Sequence, residues 1–273
     1  MSDQIRPPGN LPANVDVPAA DVRMATPARI ALARTGVSIG TRHALEFALA
    51  HAQARDAVHS ALAIPSLLAA LQDCHLDVLT VRSAVSDRTE YLRRPNLGRI
   101  LAPASARLLS EKARTSASGS PSLPTLTLVL ADGLSALAVE RHALPLLDML
   151  LPLLRSAVPS WNLAPLIIAE QARVALGDEI GAALGADLTL MLIGERPGLS
   201  SPASLGAYLT WGPRPGRTDA ERNCVSNIHA DGLDYPSAAS KILWFATQAR
   251  QMQTTGITLR DNAPIGLASG SAG

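Results

Sequence analysis

Two residues in the second half of the chain are of types that could do chemistry at one place. Glu195 stands just behind the apolar run Leu188 to Ile193, and Cys224 follows after Glu221, Arg222 and Asn223. A carboxylate at the end of a buried strand suits the core badly. It suits the accepting of hydrogen bonds from a ligand at the edge of a parallel sheet, where such folds bind their ligands. Gly194, Pro197 and Gly198 shape a specific turn there, and the segment 194–223 is polar and rich in Gly and Pro. A long structured loop of that kind usually serves binding. For Cys224, the neighbouring Arg222 could lower the thiol pKa, yet no catalytic base stands near it in sequence. Residue type alone favours a small buried filler.

The other candidates are weaker. His43, His51 and His59 recur every eighth residue, a spacing that turns each by ~80° around a helix, so they do not converge on a metal. His142 and His229 have no carboxylate or nucleophile close in sequence. Asp132, in the turn Asp132-Gly133-Leu134-Ser135, is either a ligand contact or the N-cap of the following helix. Gly177, Gly181 and Gly185 leave a smooth strip on one helix, for close helix–sheet packing or, less favoured, for a flat ligand. Asp178 and Glu179 in the first turn of that helix complement its dipole and need no further role.

The elements that must position these residues follow from the apolar pattern. Residues 1–27 hold five prolines and read as a flexible arm. From 28 to 115 the pattern is helical, with helices over 42–60, 66–72, 76–91 and 104–114. Residues 116–124, rich in Ser, Gly and Pro, form a linker. Over 125–262 short apolar runs alternate with helices: strands at Leu126–Leu130, Leu166–Ala169 and Leu188–Ile193, a fourth at Tyr208–Trp211, and a closing helix over 236–254. Pro145 is placed in the first turn of a second helical piece. Residues 263–273 are a flexible tail. Strands buried on both faces and joined by helices predict an α/β fold: a helical N-terminal region, then a Rossmann-like, open, mostly parallel sheet. Its three clear strands end at Asp132, at Glu170 with Gln171, and at Glu195 with Arg196, so one shared edge is the candidate site.

Composition narrows the partners. The 273 residues include 24 basic and 23 acidic side chains, without the basic stripe that nucleic-acid binding requires. The two cysteines, Cys74 and Cys224, are far apart and lack metal-ligand spacing, as in a reduced intracellular protein. The longest apolar stretch, 143–154, is broken by Pro145, Asp148 and Pro152 and is too short to span a bilayer. No G-x-G-x-x-G or P-loop pattern occurs.

Several motifs in the same order resemble one family, the small (light) subunit of ethanolamine ammonia-lyase. They are Thr26-Pro27-Ala28-Arg29-Ile30, the run His51 to Val58, Ala131-Asp132-Gly133-Leu134-Ser135-Ala136, Arg173-Val174 before Gly177-Asp178, the run Ile193 to Gly198, and Cys224-Val225-Ser226-Asn227-Ile228. The resemblance runs from Thr26 to about Leu259. It implies a carbon–nitrogen lyase, active only with a large barrel subunit, that uses adenosylcobalamin to turn ethanolamine into acetaldehyde and ammonia. It further implies that Val174, Glu195 and Cys224 contact the cofactor, that no catalytic residue and no metal ligand lie on this chain, and that the protein works as a hetero-oligomer of large–small pairs. The Asp-x-His-x-x-Gly pattern that gives cobalt a histidine in other folds is absent, with Leu134 where that His would be. The expected place is the cytoplasm, free or within a bacterial microcompartment.

Overall fold

In a computed structural model of the chain, residues 34–35, 38–72, 75–116 and 123–262 are described. The arm, the tail, residues 117–122 of the linker, Cys74 and the Thr26–Ile30 motif lie outside them. The chain divides into two units, Met1–Ala50 and His51–Gly273. Within the first, β1 (Arg34–Thr35) pairs antiparallel with β2 (Ser38–Ile39). Helix α1 (Thr41–His59) begins there and runs on into the second unit.

The second unit is built on one sheet. Its strands are β3 (Val78–Arg82), β4 (Thr125–Ala131), β5 (Asn162–Leu163), β6 (Leu166–Glu170), β7 (Leu188–Gly194), β8 (Leu205–Trp211) and β9 (Asn223–Ile228). The order across the sheet is β3-β6-β4-β7-β8-β9, with β5 pairing to the start of β4. β3, β6, β4 and β7 are mutually parallel, and β8 and β9 add antiparallel to the far side. The fold is the expected α/β arrangement, a mostly parallel open sheet flanked by helices. Among the described residues no helix is long and apolar enough to cross a membrane.

Alternation along the strands explains the two layers. Leu126, Leu128 and Leu130 of β4, with Leu188, Leu190 and Leu192 of β7, face α2 (Ile64–Leu71), α5 (Ala136–Ser156) and α7 (Tyr235–Met252). Val129 and Ala131, with Met191 and Ile193, face α4 (Pro103–Ser116) and α6 (Leu176–Leu184). Each fully buried aliphatic side chain contributes ~1.5–3 kcal/mol, so continuous apolar strands are stable only when both faces are covered.

Three expectations need correction. The segment predicted as a helix over 76–91 is strand β3 followed by the short helix α3 (Arg88–Arg93). Val78 to Arg82 pair in register with Leu166 to Glu170, so a ladder partner remote in sequence overrides the local pattern. Asp87 then starts α3 by accepting from the Glu90 amide at 2.8 Å. Pro145 does not open a new helix, because α5 runs unbroken through Pro145 and Pro152. Leu146, Leu147, Leu150 and Leu154, all fully buried, compensate the lost backbone hydrogen bonds. The segment 194–223 is not one loop: β8 divides it into two shorter ones.

Candidate functional site

The strand ends meet as the topology requires. Chain leaving β4 crosses one face of the sheet to β6, and chain leaving β6 crosses the other face to β7. The crevice between those crossings is where doubly wound sheets bind ligands. A cleft of about 430 Å³ opens there, lined by Tyr91, Gly133, Leu134, Arg173, Val174, Ile193, Gly194, Glu195, Arg196 and Tyr208.

Its floor is a close meeting of backbones. The Leu134 amide donates to the Gly194 carbonyl at 2.9 Å, tying the β4–α5 turn to the end of β7. Gly133 has φ +55°, and a Cβ there would run into the Gly194 carbonyl. Only glycine combines that dihedral with that proximity.

Asp132 is neither the ligand contact nor the N-cap that the sequence offered. Ser135 caps α5, accepting from the Ala138 amide at 3.3 Å. Asp132 is buried and points sideways, accepting from the amides of Gln171 at 2.9 Å and Ala172 at 3.0 Å and from Arg88 Nη1 at 3.4 Å. It clamps the loop after β6, where Gln171 sits at φ +53°, and so sets the position of Arg173 and Val174. Burial pushes the Asp132 carboxyl up from its usual range, and the two amides and Arg88 oppose that.

Glu195 is held by Ser204, just before β8, and by Asn227 of β9. Its amide donates to the Ser204 carbonyl at 2.9 Å, and its Oε2 accepts from Ser204 Oγ at 2.8 Å and from the Asn227 amide at 3.1 Å. Its Oε1 has no hydrogen-bond donor among the described residues, which leaves one carboxylate oxygen for a ligand. Cys224 stands opposite Tyr208 across the β8–β9 ladder, so the two side chains are neighbours on one face of the sheet. Thus Val174 and Glu195 line the cleft, and Cys224 joins them through Tyr208.

Cys224 departs from the filler reading: it is exposed. The helices of the second layer cover β3 to β7, so on that face Tyr208 is only half-buried and Cys224 lies open. Nor does Arg222 activate it. That guanidinium is buried against Asp178, to which it donates a hydrogen bond. Desolvation, with the Glu195 carboxylate adding to it, pushes the Cys224 thiol up. Asp178 therefore does more than complement a dipole: it anchors the segment before β9, and burial raises its carboxyl to about 6. The glycine strip is explained by packing. A Cβ on Gly177 would press on Thr189 and Met191, and one on Gly181 would collide with Thr189 and Pro213. Gly185 instead ends α6 at φ +66°.

Sequence reasoning missed Arg88, Tyr91, Arg173 and Tyr208 as parts of the site. One signal was available: the chain has three tyrosines in all, and two of them border this cleft. In a core of aliphatics, a scarce aromatic beside a candidate site is informative.

The loop carrying Glu195 is pinned from beneath. Ser135 Oγ donates to the Pro202 carbonyl at 3.2 Å, and His142 Nε2 donates to the Ala203 carbonyl at 3.2 Å while Nδ1 takes the Tyr235 hydroxyl at 3.0 Å. Burial pushes the His142 imidazole down from its ordinary value, with the Ala203 hydrogen bond only partly opposing. A depressed folded pKa means that, below about pH 6.5, the unfolded chain takes up a proton that the folded chain refuses. Stability should therefore fall as pH drops below that value. In urea titrations between pH 7.5 and 5.5, the wild-type midpoint should decline more steeply than that of His142→Gln; parallel declines would contradict this.

A family model described as "Ethanolamine ammonia-lyase light chain (EutC)" matches residues 17–260. A protein of Pseudomonas fluorescens named ethanolamine ammonia-lyase small subunit is 47% identical over 262 residues, covering 96% of this chain and 93% of its own length. Proteins with the same name from Bradyrhizobium diazoefficiens, 51% identical over 90% of this chain and 91% of their own length, and from Azotobacter vinelandii, 50% identical over 93% and 92%, are similar to it in the same way.

Proposed function

The chain belongs to the ethanolamine ammonia-lyase light-chain family, and from that premise we propose that its strand-end cleft covers adenosylcobalamin held against a large catalytic subunit. The chain is then one part of a carbon–nitrogen lyase that converts ethanolamine to acetaldehyde and ammonia. As a small subunit it implies a larger partner, and the active site is assigned to that partner.

One observation carries the reading: Val174, Glu195 and Cys224, distant in sequence, gather around Tyr208 at one open edge. The residues present fit the cofactor. The corrin rim bears carboxamide side chains, whose N–H groups need acceptors, and Glu195 Oε1 is an acceptor with no donor among the described residues. Val174 offers an apolar contact beside it. A cleft of about 430 Å³ takes only the edge of so large a molecule, which suits a site completed by a second subunit. Adenosylcobalamin supplies the radical chemistry; the protein's part is binding, orientation and exclusion of water. Glu195, fixed on one oxygen by Ser204 and Asn227, orients the corrin without reorganising, and the exposed face of β8 and β9 closes against the partner.

The test compares hydroxocobalamin retention by co-expressed large–small complexes carrying wild-type chain, Glu195→Ala or Cys224→Ala. Loss of a hydrogen bond to a charged group costs ~1.5–3 kcal/mol, so Glu195→Ala should weaken retention roughly tenfold or more, Cys224→Ala less, with assembly intact. Unchanged retention in both variants would leave the chain as a structural partner only. Wild-type complex should release acetaldehyde in a cobalamin-dependent manner, and the chain alone should release none.

A further inference from the structure

Arg173 borders the cleft with a charge that no ion pair neutralises among the described residues. Its placement is built rather than incidental. The Arg173 amide donates to the Gly98 carbonyl at 2.8 Å, and its Nη2 donates to the Tyr91 carbonyl at 3.2 Å. Its guanidinium lies over the Tyr91 ring at 4.2 Å from the centroid, and Arg88 lies over the same ring at 4.6 Å. Tyr91 is itself fully buried and anchored by its hydroxyl to the Ala172 carbonyl at 2.8 Å. Gly98 packs tightly against this stack: a Cβ there would lie 3.0 Å from both the Arg173 side chain and the Tyr91 ring, and one of them would have to give.

Donors are left over from this arrangement. Arg173 Nε and Arg88 Nη2 are buried without a hydrogen-bond partner among the described residues. Arg173 Nη1 makes no hydrogen bond within the protein among the described residues. The carboxylate that could have answered them, Asp132, is committed to two backbone amides and to Arg88. A stacked, pre-oriented guanidinium with unspent donors matches an oxyanion better than a neutral amide. The cleft thus has an acceptor wall at Glu195 and a cationic wall at Arg173.

We propose that Arg173, the stacked and pre-oriented arginine of the cleft, is an anion-holding residue and that it takes the phosphodiester of the cofactor's nucleotide tail. The corrin's carboxamides are neutral, and the phosphodiester is the anionic group among cobalamin's side chains. This rests on the cofactor reading above and divides the labour within it: Glu195 receives the amide rim, and Arg173 receives the phosphate.

Cobinamide, which keeps the corrin and its amides but lacks the phosphate and base, separates the two. Binding of hydroxocobalamin and of diaquacobinamide to the large–small complex would be measured by ultrafiltration and visible absorbance for wild type, Arg173→Gln and Arg173→Lys. Arg173→Gln should bind hydroxocobalamin roughly tenfold more weakly or worse and cobinamide within about twofold of wild type, and Arg173→Lys, a point charge without the planar fork, should recover part of the loss. An equal loss for both ligands would assign Arg173 to the corrin or to the fold, and undiminished cobalamin binding would remove its role; either overturns this proposal alone. If wild-type complex binds neither ligand, the cofactor reading falls and this proposal falls with it.

Discussion

Asp132→Ala is expected to destabilise the chain by about 3–5 kcal/mol, the range found when one partner of a buried charged pair is removed. The substitution strips the acceptor from two amides, Gln171 and Ala172, and leaves Arg88 without its carboxylate in a site where Asp132 is 2% exposed. Arg88 keeps the Val58 carbonyl at 2.7 Å and the Gly133 carbonyl at 2.9 Å, so the helix that carries it should stay docked. The loop after β6 should not, since Gln171 holds a left-handed conformation that such residues adopt only when their surroundings enforce it. Urea unfolding of the full chain, followed by circular dichroism, reads the stability, and hydroxocobalamin retention by the complex reads the consequence for Val174 and Arg173. Asp132→Asn should fall between the two, because one carboxamide oxygen replaces two carboxylate oxygens and its NH₂ opposes a donor. A midpoint for Asp132→Ala within error of wild type would refute the clamp.

Gly194→Ala should cost about 3 kcal/mol or more, at the upper end for one added methyl group in a packed interior. The methyl group would overlap the Ser135 carbonyl oxygen and lie 2.6 Å from the Asp132 carbonyl oxygen. Both obstacles are backbone atoms of the β4–α5 turn, and no side-chain rotation relieves them. The end of β7 must then separate from the β4–α5 turn, which breaks the hydrogen bond from the Leu134 amide to the Gly194 carbonyl and displaces Glu195. Gly198→Ala is the control: the nearest atom to its added methyl group is the Ser201 carbonyl oxygen at 3.5 Å, so stability should stay within about 0.5 kcal/mol of wild type. The same urea series compares them. Equal midpoints for the two alanine variants would show that the close approach at Gly194 does not matter.

The parallel strands were legible because their signal is local and dense. Leu126–Leu130, Leu166–Ala169 and Leu188–Ile193 are apolar but for Thr127 and Thr189, and each falls within an observed strand. β3 and β9 were not. Val78–Arg82 is buried unevenly, and Asn223–Ile228 alternates buried with exposed residues at the sheet edge; their strand character comes from partners far along the chain. The missed β9 also explains the misreading of Cys224, since a residue's face on a strand is fixed only once the strand and its register are known.

By itself the sequence determined the class of fold, the edge at which the strands end, and Glu195 as a polar group standing there, because apolar periodicity and turn chemistry are properties of neighbouring residues. Only the tertiary structure decided what faces that edge. It turned Asp132 from a cap into a clamp, sent Arg222 to Asp178 in place of Cys224, and set Arg173 over Tyr91. Each of those outcomes depends on which burial sites hold charge and which partner reaches them, and that is settled by packing between segments roughly 40 to 90 residues apart, which no local pattern encodes.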